Sequence, residues 1–244
     1  MTWPDLFRFN LPLFAQEQLH FHPDLEQLRF LQHEHHHTLL NCTRQWGKSS
    51  LAAILATHKL LYGHPETLIV IAGPTQRQSS ELLRKVRRCH DLRVPFTGDG
   101  DNAESAQIAN GSRVVGLPGV GDNIRCFSSV DLLLLDEAAR IPDETWLAVH
   151  PLIARSQGPV IAMSTPAGPA GFFWEAWTQG GAEWLRIQVP ATRCPRFPPP
   201  ILERERRVLG DFWFRQEFLC EFSNNGDGFF AQADLAHLLD KVPA

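Results

Sequence analysis

The chain has 244 residues, 43% hydrophobic and 20% charged, a composition that supports a packed core without disulfides or a structural metal and excludes a disordered or fibrous protein. Its 23 Lys and Arg against 27 Asp and Glu leave a net charge of −4, so it is no basic nucleic-acid coat, and any DNA contact must come from a local patch. It has no apolar run of about 18 residues to span a membrane, no apolar signal core near Met1, and five widely spaced cysteines without a CxxC pair, which read as reduced cytosolic thiols.

Residues 1–37 are polar and rich in histidine, with one short helix expected over Leu25–Gln32. Thr38–Cys42 is a short apolar run and predicts a buried strand. Lys48–Tyr62 carries apolar residues at helical spacing, stopped by Gly63, His64 and Pro65. A second strand is expected over Thr67–Ala72 and a second helix over Gln76–His90. Asn110-Gly111 predicts a hairpin turn between Gln107–Ala109 and Arg113–Gly116. Val130–Leu135, Pro159–Met163 and Trp184–Val189 read as strands, Pro142–Val149 and Gly171–Trp177 as helices. This alternation, with continuous apolar strands, predicts an α/β protein with a parallel sheet covered on both faces. Four prolines within residues 195–200 form an extended connector, followed by helices over Ile201–Leu209 and Phe212–Phe222 and a loop over Ser223–Gly228.

Two segments carry chemistry. Thr43-Arg44-Gln45-Trp46-Gly47-Lys48-Ser49-Ser50 lies between a strand and a helix, where a phosphate-binding loop belongs. Backbone N–H groups and the helix N-terminus attract phosphate, Lys48 can reach the β- and γ-phosphates of ATP, and the Ser49 hydroxyl can ligate Mg²⁺. Cys42 stands at the usual first glycine. The second segment is the apolar strand Val130–Leu135, which runs into Asp136 and Glu137. Asp136 suits the Mg²⁺ shell, and Glu137 can orient and deprotonate an attacking water. Glu beside Asp points to hydrolysis instead of phosphoryl transfer to a second substrate.

In this order the motifs resemble the ATPase domain of the large terminase subunit, the motor that packs DNA into phage capsids. TRQWGKSS is similar to that family's R-Q-x-G-K-S/T loop, and residues 71–86 (IAGPTQRQSSELLRKV) to its following strand and helix. NGSRVVGLPG and NIRCFSSVDLLLLDEAARIPDE resemble the stretch through the acidic pair, AMSTPAGPAGFFWEAW the coupling motif, and FRQEFLCEF the end of the module. The likeness covers roughly residues 20–230. Cys126 departs from the family's usual glycine, and the chain stops where the family's nuclease domain begins.

The resemblance implies an ASCE/RecA-like P-loop NTPase with three layers and a mostly parallel sheet. Residues 1–195 would form the ATPase core with an adenine-side segment, 196–222 a helical lid and 223–244 a tail. It implies that Gln27, in HPDLEQ, reads adenine, and that Ser164 and Thr165 are the coupling motif that senses the γ-phosphate. Arg44 is the arginine that would neutralise transition-state charge in cis, Arg125 the one that would do so in trans. ATP and Mg²⁺ are the implied cofactors. Double-stranded DNA, a homo-oligomeric ring, a portal protein, a small terminase subunit and a separately encoded nuclease are the implied partners, in the cytoplasm of a bacterial host to a phage or prophage. One sheet of this length would borrow the second wall of its ATP cleft from a neighbour. A helicase-like or repair ATPase and a non-catalytic nucleotide-binding prophage remnant are the alternatives.

Other signals weigh less. His33-Glu34-His35-His36-His37 matches HExxH, but a zinc site of that kind needs a stable helix and a third ligand. Arg84, Lys85, Arg87 and Arg88, and likewise Arg204, Arg206 and Arg207, read first as solvated helix faces. Trp174 and Trp177 read as core.

Overall fold

In the computed structural model, which describes residues 3–90, 96, 104–117, 127 and 129–223, seven strands pair into one sheet. They are β1 (His37–Cys42), β2 (Leu68–Ala72), β3 (Ser105–Gln107), β4 (Arg113–Gly116), β5 (Leu132–Asp136), β6 (Val160–Ser164) and β7 (Trp184–Val189). Their spatial order is β3-β4-β2-β5-β6-β1-β7, and every neighbouring pair is parallel except β3–β4.

The helices are α1 (Trp3–Phe9), α2 (Leu11–Leu19), α3 (Leu25–Gln32), α4 (Lys48–Tyr62), α5 (Gln76–His90), α6 (Asp143–Val149), α7 (Pro151–Ala154), α8 (Phe172–Gln179) and α9 (Pro199–Glu217). Alternate strand residues face two cores. Leu40, Ile71, Leu134 and Met163 pack with Phe14, Phe30, Leu51 and Leu82 of α2–α5. Leu39, Val70, Leu133 and Ala162 pack on the other face with Val149, Leu152 and Phe173 of α6–α8. This is the three-layer α/β fold that the continuous apolar strands predicted. No helix among the described residues is long and apolar enough to cross a membrane.

The topology places the chemistry. β6 separates β1 from β5, with Asn41 level with Ser164 and Asp136 level with Met163. The segments after β1, β5 and β6 therefore leave the same end of the sheet, beyond the carboxyl ends of its strands, where open α/β sheets hold ligands.

The helices expected over Leu25–Gln32, Lys48–Tyr62 and Gln76–His90 have those bounds. Four features differ from expectation. The segment before Leu25 forms α1 and α2, because Phe7, Leu11, Phe14 and Ala15 are buried and Asn10 caps α2 by accepting from the Leu13 N–H at 2.9 Å. The hairpin strand begins two residues early, because its turn is longer than Asn110-Gly111 alone: Ile108 donates to the Ser112 carbonyl, and Gly111 takes φ +84°. Pro199 and Pro200 are no part of an extended connector but open α9, where proline's fixed φ suits a first turn. The break expected between Leu209 and Phe212 is a kink at Gly210, at φ 76°, but α9 ends at Glu217 instead of Phe222. The chain beyond it returns to the sheet tip, where Asn41 and Gln188 both donate to the Cys220 carbonyl at 2.9 and 3.0 Å.

The histidine run contributes an acid-sensitive joint. His35 lies edge-on against Phe30 at 4.7 Å, and burial lowers its pKa to about 4. Burial also lowers that of His58. Each is held neutral in the fold but gains a proton when unfolded, so stability is lost as pH falls from about 6.5 towards 4. Denaturant unfolding at pH 7 and pH 5 is expected to show a drop of about 1 kcal/mol per pH unit from His35 alone. The drop should shrink in His35→Phe; an identical pH slope in that variant would contradict this account.

Candidate nucleotide site

β1 leads into the loop Thr43–Gly47, and α4 begins at Lys48. Gly47 sits at φ +105°, and a Cβ there would stand 2.9 Å from the Gln27 amide nitrogen, so conformation and contact both require glycine. Gln27 is fully buried behind the loop. Its Oε1 accepts from the Asp24 N–H at 3.0 Å, which closes a capping box on α3, and its Nε2 donates to the Trp46 carbonyl at 2.7 Å. Arg196 donates to the same carbonyl at 2.9 Å and pairs with Asp24 at 3.4 Å. The Trp46 ring is fully buried in the core. Two donors and a buried indole thus fix the loop before any ligand arrives. Cys42 fills the first-glycine position as a buried thiol whose pKa burial raises, so it is packing rather than a nucleophile.

Lys48 is 7% exposed and folds back over its own loop, donating to the Cys42 and Thr43 carbonyls at 2.7 and 3.1 Å. Ser49 donates to Asp136 Oδ2 at 3.5 Å. Burial, and then the neighbouring Glu137 carboxylate, push the Asp136 pKa up to about 6, which leaves it ionised at neutral pH and short of compensating charge. A hydroxyl and a carboxylate are hard oxygen donors, so this pair fits Mg²⁺.

Glu137 follows in a left-handed turn (φ 51°), and its N–H donates to Asp136 Oδ1 at 3.1 Å. Its Oε2 accepts from Arg140 Nη1 at 2.9 Å. Arg140 also donates to Thr165 Oγ1 at 3.2 Å and, through Nη2, to Glu217 Oε1 at 2.8 Å. Glu217 Oε2 accepts from Thr165 Oγ1 at 3.1 Å and forms an ion pair with Arg44, whose Nε lies 3.1 Å away. The Thr43 hydroxyl donates to the Glu217 carbonyl at 3.2 Å. One network therefore joins the loop, the acid pair, the tip of β6 and the end of α9. Ser164 is fully buried, and its Oγ has no partner among the described residues; neither has Oδ1 of Asn41 opposite it.

The structure brings Thr43, Arg44, Lys48, Ser49, Asp136, Glu137, Ser164 and Thr165 to one end of the sheet. Gln45 and Arg44 are exposed at the loop's outer turn, and Ser50 bonds through its N–H to the Gly47 carbonyl inside α4's first turn. Gln27 lies close to the loop, with its amide engaged by Asp24 and Trp46. Arg125 lies outside the described residues, as does the tail beyond Ser223. Sequence reasoning missed Arg140, Glu217 and Arg196. Arg140 follows Glu137 by one helical turn, a spacing that pairs opposite charges, and so was legible. Glu217 and Arg196 reach the site only through tertiary contact.

The remaining signals have plain structural partners. α3 ends at Gln32 and β1 starts at His37, so His33 and His37 do not share a helix. Arg84 pairs with Glu81, Arg204 with Glu205, and Arg206 with Asp211. Trp174 and Trp177 both lie against Phe222.

Comparison with known proteins identifies the family and the fold. Residues 39–237 match the family described as terminase large subunit, T4likevirus-type, N-terminal. The large terminase subunit of Thermus virus P23-45 is 26% identical over 234 residues, covering 80% of this chain and 48% of its own length. That of Escherichia phage T5 is 25% identical over 232 residues, covering 88% and 51%. The chain thus spans about half the length of the curated relatives it matches. Among solved structures, the large terminase ATPase domain of Thermus phage P74-26 superposes with a TM-score of 0.70 at 23% identity, covering 85% of this chain and 97% of that one. The large terminase of another thermophilic bacteriophage, in complex with ADP, superposes with a TM-score of 0.65 at 12% identity, covering 82% and 54%. The chain belongs to the terminase large subunit N-terminal family.

Proposed function

We propose that this chain hydrolyses ATP to drive double-stranded DNA into a phage capsid. The observation that carries the reading is the meeting of Ser49 with Asp136 beside Glu137, at the tips of strands whose loop also presents Lys48. Lys48 would exchange the Cys42 and Thr43 carbonyls for the β- and γ-phosphates, a stronger, charge-assisted set of hydrogen bonds. Ser49 and Asp136 would hold Mg²⁺, which supplies charge neutralisation on the phosphates when bound. Glu137 would take the proton of the attacking water. Thr165 and Ser164, at the neighbouring strand tip, would sense the γ-phosphate. Arg44 would stabilise the transition state from within its own loop, and Arg125 from a neighbouring subunit in a ring.

Family membership supports double-stranded DNA, a portal protein and a small terminase subunit as partners, and the cytoplasm of a bacterial host as the place of action. The reading is tested by phosphate release from Mg²⁺-ATP with and without double-stranded DNA. Hydrolysis stimulated by duplex DNA without strand separation is expected. Strand separation would move the protein to the helicases, and nucleotide binding without turnover would leave it a binding module.

A further inference from the structure

Arg140 sits where a single side chain can govern the candidate base. It is one helical turn from Glu137 and about one-third exposed, and its fork spans two carboxylates on different elements: Glu137 after β5 at 2.9 Å and Glu217 at the end of α9 at 2.8 Å. Thr165, at the tip of β6, closes the triangle by accepting from Arg140 and donating to Glu217. We infer that Arg140 is a positioning residue for hydrolysis, which sets the orientation of the Glu137 carboxylate from the end of α9 and the tip of β6. This rests on the reading of Glu137 as the base.

Glu137 is partly exposed on a left-handed turn, and a glutamate side chain held by nothing samples many rotamers. A guanidinium presents its N–H donors in a fixed plane, so contact with Glu217 and Thr165 fixes the direction from which Nη1 meets Glu137. Movement of α9 or of the β6 tip must then move Arg140 and, with it, the base. Lysine carries the charge but, as a point cation on a flexible stem, cannot hold two carboxylates in one set geometry.

The test uses the full chain and its Arg140→Gln, Arg140→Lys, Glu217→Gln and Glu137→Gln variants, with the Arg140→Gln/Glu217→Gln double. ATPγS affinity is read by calorimetry, kcat and KM by phosphate release, and folding by thermal unfolding. Arg140→Gln should lower kcat by about 10- to 100-fold with ATPγS affinity unchanged, the cost of a misplaced group rather than a missing one. Arg140→Lys should fall between it and the wild type. The double variant should lose no more than the worse single, because both act through one chain of contacts. A wild-type kcat in Arg140→Gln, beside an inactive Glu137→Gln, overturns the role of Arg140 alone. Losses that multiply in the double overturn the link to α9. Should Arg140→Gln unfold, a wild-type kcat in Arg140→Lys overturns the inference. Wild-type hydrolysis by Glu137→Gln removes the base itself, and the inference with it.

Discussion

Replacement of Lys48 by alanine is expected to weaken nucleotide binding by about 100-fold. Lys48 is the single cation of the loop held against its backbone, nearly buried, with its ammonium on two carbonyl oxygens at the mouth of α4. Those carbonyls already order the side chain at the mouth of the loop, so little of the binding energy would be spent on ordering it as Lys48 exchanges them for the phosphates. A charge-assisted contact in so enclosed a place contributes on the order of 2–3 kcal/mol, a loss of about 100-fold in affinity. Calorimetry with ATPγS reads the binding, and phosphate release should fall with it. Thermal unfolding serves as the control, because the alanine also frees the Cys42 and Thr43 carbonyls. Arg196 and Gln27 still grip the Trp46 carbonyl in the variant, so the loop should keep its course. A folded Lys48→Ala chain that binds ATPγS like the wild type would move the phosphate site elsewhere.

The parts of the site that were legible in the sequence are those fixed by local chemistry. A glycine at φ +105°, a lysine that opens a helix and a carboxylate at the end of an apolar strand each leave a mark within a few residues. The sheet was legible for the same reason, because strands buried on both faces are apolar throughout. What failed to show was tertiary. Among the described side chains α1 buries Phe7 and α2 buries Leu11, Phe14 and Ala15, so their apolar spacing was lost among polar and histidine positions. Glu217 lies in FRQEFLCEF, a segment that the sequence marks only as similar to the end of the module. Only the fold brings it to Arg44, Arg140 and Thr165, and no spacing in the sequence records that meeting. Gln27 shows the converse. The motif drew attention to Gln27 as an adenine reader, while the structure engages its amide with the Asp24 N–H and the Trp46 carbonyl, so that it supports the loop.

Glu137→Gln should leave ATP bound and unhydrolysed. The substitution preserves size and an oxygen that can still accept from Arg140, so the contact at 2.9 Å survives, though without its full charge. What the amide cannot do is accept the proton of the attacking water, and loss of general-base catalysis costs about 10²- to 10⁴-fold in rate. The variant should therefore separate binding from turnover: wild-type ATPγS affinity by calorimetry, with phosphate release near background. Asp136→Asn should behave differently. It removes the charge that burial has left poorly compensated beside Ser49, so the expected change is a higher Mg²⁺ requirement, read by titrating Mg²⁺ at fixed ATP. The contrast between neighbours is what discriminates. If both variants lost only Mg²⁺ affinity, the two acids would form one metal site and the base would lie elsewhere. If Glu137→Gln lost turnover alone, the proton would go to Glu137.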